Sequence, residues 1–214
     1  MISGFLKLTT CMFLITILCF SSSTALAQQP SAPRVQAPVI IQYDGDMAAI
    51  LTEMPSIYDV TIGLEVDGQQ PHSQVVFDLR EPTLAEVMNA IVKSAPKYQW
   101  REGAGFVELF PAAGSNPLLD TKINSFRTSE VDEAGAINLL MNLPEIQASL
   151  RALNLYRRAF AAKSTEKKSE KVSVTLEGVT LRQALNEIAK QSGRRFWIFR
   201  NYSGGFFSIS SSAW

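Results

Sequence analysis

Apolar and polar positions alternate along this chain in two periods, and the change from one to the other marks its elements. Residues 39–43 and 60–66 carry apolar side chains at every second position, with Val60, Ile62, Leu64 and Val66 on one face, which predicts strands. Between them Met47, Ile50, Leu51 and Met54 recur at helical spacing, so 46–54 is expected to be a short helix, and Asp67-Gly68 a turn. A strand is predicted over 74–79. Next, Thr83-Leu84-Ala85-Glu86 is a capping box: hydroxyl and carboxylate each take a backbone N–H of the first turn. Leu84, Val87, Met88, Ile91, Val92 and Ala95 continue one helical face until Pro96 stops it. Strands over 98–101 and 106–110 follow, joined through Gly103 and Gly105.

The same pattern returns 97 residues later without a gap. Leu79 falls on Leu176, Thr83-Leu84 on Thr180-Leu181, Asn89 on Asn186, Ile91 on Ile188, Lys93 on Lys190 and Trp100 on Trp197. A duplicated unit accounts for this. The second copy has its own box, Thr180 with Gln183, and Gly193 in place of Pro96 as the helix stop. Its closing hairpin, 195–200 with 205–210, turns through Asn201-Tyr202-Ser203-Gly204. Ahead of it a strand is expected over 123–127, and a helix capped by Ser129 with Val131, Ala134, Ile137, Leu140 and Met141 on one face. Pro144 opens an extra helix, with Ile146, Leu150, Leu153 and Tyr156 apolar, that has no counterpart in the first copy.

The fold class expected is α+β: two small modules of order β-α-β-β-α-β-β, helices packed on small sheets. The first spans 39–112. The second spans 113–214, with an inserted helix at 144–161 and a Lys-rich, solvated connection at 162–171. Residues 28–38, rich in Pro, Ala and Gln, form an expected flexible leader. Before them, Lys7, an apolar run from Cys11 to Phe20 and the small-residue site Ala25-Leu26-Ala27 follow the plan of a cleavable export signal, 1–27. The run is short of the about 20 residues a spanning helix needs, so no transmembrane segment is expected in the mature chain, and its location is expected to be periplasmic.

Both cysteines, Cys11 and Cys19, fall in that signal, which leaves the mature chain no thiol for a disulfide, a metal or a nucleophile. The single histidine, His72, builds neither a His-paired nucleophile nor a multi-His metal site. Ser164-Thr165-Glu166-Lys167 has the Ser-x-x-Lys spacing of penicillin-recognising enzymes, yet it sits in the Lys-rich connection without a Lys-Thr-Gly partner and reads as a chance match. Neither a phosphate loop nor a dinucleotide fingerprint occurs. No cofactor, metal or nucleic acid is expected. The charge is divided: 28–150 holds 7 Lys and Arg against 16 Asp and Glu, and 151–214 holds 12 against 4. Either the halves complement each other within the molecule or the basic half faces an acidic partner.

With Val172-Ser-Val-Thr-Leu-Glu-Gly-Val-Thr-Leu-Arg-Gln-Ala-Leu-Asn-Glu-Ile-Ala189 at its centre, the element order resembles the secretin and TonB short N-terminal domain, over about 40 residues in each copy. The resemblance implies a non-enzymatic periplasmic adaptor that docks a protein of the cell envelope, as an accessory part of an outer-membrane secretion, transport or signalling assembly. In a departure from that pattern, no barrel-forming or secretin region is expected after the second copy. Two alternatives stay open: a hydrolase using paired carboxylates, and a scaffold for peptidoglycan or an anionic surface.

The candidate docking patch comes from comparing matched strands. Tyr98 and Trp100 alternate with Gln99 and Arg101, but Phe196 and Ile198 stand where those polar residues stood. With Trp197 and Phe199 inward, Phe196, Ile198 and Phe206 are expected to face outward, edged by Arg195 and Arg200. Either the first copy or the extra helix covers this patch, or an external partner does.

Overall fold

A computed structural model describes residues 40–67, 73–103, 105–158 and 170–211. The export signal, the leader, His72 and the Ser164–Lys167 motif lie outside the described residues. The first half runs β1 (Ile40–Asp46), α1 (Met47–Tyr58), β2 (Thr61–Asp67), β3 (Gln74–Arg80), α2 (Leu84–Ser94), β4 (Tyr98–Gly103) and β5 (Phe106–Pro111). A 3-10 turn, Pro117–Asp120, leads into the second: β6 (Lys122–Val131), α3 (Glu133–Met141), α4 (Pro144–Ala152), β7 (Tyr156–Arg157), β8 (Val172–Thr180), α5 (Leu181–Gln191), β9 (Phe196–Asn201) and β10 (Phe206–Ser210). The class is α+β. No helix among the described residues is long and apolar enough to cross a membrane.

The strands pair alike in the two halves. β1 joins β3 and β6 joins β8, both antiparallel. The other six form one sheet of order β4-β5-β2-β9-β10-β7, in which β4-β5 and β9-β10 are antiparallel and β5-β2 and β10-β7 parallel. The link between halves is β2 with β9, parallel from Ile62 opposite Phe196 to Asp67 opposite Asn201.

Because successive side chains of a strand point to opposite faces, the sheet carries a core on each side. On one side Ile62, Leu64, Val107, Leu109, Phe196 and Ile198 pack with Ile50, Leu51 and Met54 of α1 and Val87, Met88 and Ile91 of α2. On the other Trp197, Phe199 and Phe207 pack with Ile137 and Leu140 of α3, Ile146 of α4 and Leu185 and Ile188 of α5. Both capping boxes form, at Thr83 with Glu86 and at Thr180 with Gln183. Each capped helix also takes part in a Trp–Asn hydrogen bond: Trp100 Nε1 donates to Asn89 at 3.0 Å, and Trp197 Nε1 to Asn186 at 2.6 Å.

Two local expectations are corrected, and one matched pair differs. The cap of α3 is Asp132, whose carboxylate accepts from the Gly135 N–H at 2.7 Å; Ser129 lies within β6, which stays paired to β8 as far as Val131. This turns Glu133 and Ala136 inward and leaves Ala134 exposed. The extra helix ends at Ala152, well short of 161. Asn154 adopts φ 53° and the Leu155 N–H reaches back to the Leu150 carbonyl, the closing geometry usually served by glycine. Tyr156 and Arg157 are thereby released to form an edge strand. Leu84 is only half-buried, whereas Leu181 at the matched position is fully enclosed.

Candidate functional site

The five residues of the sequence-derived patch do not form one exposed surface. Phe196 and Ile198 are 2% and 1% exposed and belong to the core of the first half. Arg195 pairs with Asp59, and Arg200, half-buried, donates to Ser210 Oγ at 3.2 Å. Phe206 alone stays open, at 41%. The physical reason lies in strand position: β9 is central, covered on both faces, and such strands read as continuous apolar runs, here Phe196-Trp197-Ile198-Phe199. β4, its counterpart in the first half, is an edge strand and alternates with Gln99 and Arg101.

The seam between halves also has a polar section. Arg182, in the first turn of α5 and 4% exposed, reaches over the sheet to the first half. Its Nη1 donates to Glu65 at 2.8 Å and Glu108 at 3.1 Å, and its Nη2 to Asp120 at 3.2 Å and to Ser115. Arg101 approaches Glu108 Oε2 at 2.7 Å from the far side, with its guanidinium over the Phe110 ring. Burial works to lower the Arg182 pKa, but the hydrogen bond to Glu65 and the charges of Glu108, Glu65 and Asp120 outweigh it and raise it. Arg182, Arg194 and Arg195 of the basic half thus meet Glu65, Glu108, Asp120, Glu133 and Asp59 of the acidic half, so part of the charge division is answered inside the molecule.

Two carboxylates on one guanidinium invite comparison with an acid–base pair, but their bonding is that of a tie. Glu65 Oε1 accepts from Arg182 and from Ser115 Oγ at 2.7 Å, and Oε2 from the Asn116 N–H at 2.8 Å. A general base must reach a proton of its substrate; both Glu65 oxygens are committed to the seam, while Glu108 Oε1, without a hydrogen-bond partner among the described residues, is buried away from water. Nearby, a cleft of about 290 Å³ lies between Asp59, Thr61 and Phe106 of the first half and Gln183, Asn186 and Lys190 of α5.

The second open feature is the end of the sheet at β7. Tyr156 is 60% exposed, and its ring lies 6.0 Å from that of Phe206 on β10. Arg158 stacks over both Phe206 and Tyr202, at 5.4 and 5.7 Å. Arg157 turns to the other face and donates to Asn138 of α3 at 2.8 Å; burial pushes its pKa down. No family model, no curated protein and no solved structure matches the chain. Of this cluster only Phe206 was singled out from the sequence. Tyr156 continues the apolar spacing of α4 and reads as helix, and the signal that separates it is Asn154, a residue tolerant of the left-handed conformation at a helix end.

Proposed function

We propose that this protein is a non-enzymatic binding module of the cell envelope, exported by the signal at 1–27, which docks another protein at the β7 end of its sheet. The observation that carries this is the cluster of Tyr156, Phe206 and Arg158, all exposed, with the half-buried Tyr202 at the end of the sheet: aromatic rings and arginine are the side chains that dominate protein interfaces. The resemblance to the secretin and TonB short N-terminal domain points the same way. Supporting it are the like order and pairing of strands in both halves, the two capping boxes and the two Trp–Asn bonds. On this reading the halves are two copies of one adaptor unit, joined by β2 and β9.

The test is photo-crosslinking in intact cells, with benzoylphenylalanine at Tyr156 and, as a control at the opposite end of the sheet, at Gln99. A discrete protein adduct from position 156 and none from 99 is expected. Adducts from neither position, or the same adducts from both, would remove the docking site. Intact mass of the exported protein checks the signal separately: a chain retaining Met1–Ala27 contradicts the proposed export.

A further inference from the structure

The molecule contains a worked example of how its own sheet accepts a strand. β2 lies parallel to β5 and takes β9, also parallel, along its other side. In the second half β7 holds the corresponding place, parallel to β10, and no described strand pairs with its far side. We propose that this edge of β7, which no described strand pairs, receives an extended acidic segment of a partner protein as a seventh strand beside Tyr156, Phe206 and Arg158. The proposal rests on the reading of the chain as a binding module and names the chemistry of what it binds.

Three observations narrow the occupant. An edge strand offers unpaired backbone donors and acceptors to any extended chain, while the side chains flanking it choose among candidates. Here those side chains are cationic and aromatic. Arg182, Arg194 and Arg195 each have a carboxylate, but among the described residues Arg157 has Asn138 alone for a hydrogen bond and Arg158 has only the rings of Tyr202 and Phe206. A half-buried guanidinium with no carboxylate among the described residues, beside a second one over two rings, favours an anionic visitor, whose charge also steers encounter. A second copy of this chain fits poorly. The strand it would offer, in the role β9 plays internally, is β4, and β4 presents Gln99 and Arg101 where β9 has Phe196 and Ile198. Arg101 is moreover engaged by Glu108.

The experiment is fluorescence anisotropy on the whole mature chain with a labelled nine-residue peptide of alternating valine and glutamate. Its valine-glutamine counterpart, an N-methylated version unable to pair as a strand, and vesicles of phosphatidylglycerol and phosphatidylethanolamine serve as comparisons. The glutamate peptide should bind at least tenfold more tightly than the glutamine or N-methylated peptide. Arg158→Gln and Tyr156→Ser, both at exposed positions and checked by melting curves, should each weaken it at least fivefold. Equal affinity for glutamate and glutamine peptides, no peptide binding, or no effect of either variant overturns the proposal. Binding of vesicles but not of peptides would assign the patch to lipid. Sedimentation showing self-association that Tyr156→Ser abolishes would assign it to a second copy. A crosslink from position 156 in cells together with failure of the acidic peptide leaves the binding module standing and removes this inference alone.

Discussion

Replacing Arg182 by Met removes the charge that holds the polar seam while leaving a side chain of similar length to fill the space. Glu65 and Glu108, 3% and 1% exposed, would then be buried acids without their shared cation. Breaking a buried ion pair from one side costs about 3 to 5 kcal/mol. The lower end applies here, because Glu65 keeps Ser115 Oγ and the Asn116 N–H, and Glu108 keeps Arg101. A loss of about 3 kcal/mol in a chain of this size corresponds to a fall in Tm of roughly 6 to 12 °C. Urea unfolding should show it as a lower midpoint at unchanged slope. Because the penalty arises from stranded carboxylates, adding Glu65→Gln and Glu108→Gln to Arg182→Met should recover much of the loss, and the double-mutant cycle of Arg182 with Glu65 should show coupling. If Arg182→Met costs under about 1 kcal/mol, or the triple variant is no better than the single, the seam is not held in the way its geometry indicates.

Other outcomes follow from particular contacts. Gly63→Ala should destabilise by about 1 to 3 kcal/mol, since an added Cβ would lie 2.4 Å from Cζ2 of Trp197, whose indole rests on that backbone; an unchanged melting curve would refute the contact. Leu181→Ala should cost about 2 to 5 kcal/mol and Leu84→Ala clearly less, because only Leu181 is fully enclosed; equal costs in urea titrations would contradict the difference in burial. The Glu133 carboxyl is held above its usual range by burial, against hydrogen bonds from Ser211 and Ser192 and the charge of Arg194. A raised folded-state pKa means that Glu133 favours folding below its unfolded value of about 4.3 and that this contribution is lost as pH rises through the folded value. Glu133→Gln should therefore raise Tm near pH 7 relative to the parent, with the advantage shrinking towards pH 4; a constant difference across that range would exclude the linkage.

Much of the local structure was determined by the sequence alone. Capping boxes, helix stops and hairpin spacings are short-range chemistry, satisfied within a few residues of backbone, so Thr83 with Glu86 and Thr180 with Gln183 specify their helix starts wherever the helices are placed. The internal match of Asn89 and Trp100 with Asn186 and Trp197 likewise marked pairs whose side chains meet in both halves. Short-range signals failed where a longer-range pairing won: β6 continued past Ser129 because β8 lay beside it as far as Val172, and Tyr156 left the helical pattern to join β10. What lies on the two sides of β9 was decided only by the tertiary structure. Phe196 and Ile198 look outward when the second half is considered by itself, and they become core because β2 of the first half takes β9 as its neighbour and α1 and α2 close over them. The same holds for Arg182, an ordinary second residue of a capped helix until Glu65, Glu108 and Asp120, up to 117 residues away in the chain, converge on it. A hydrophobic pattern states which side chains must leave water, but not which segment removes them, and that choice belongs to the way the two halves pack.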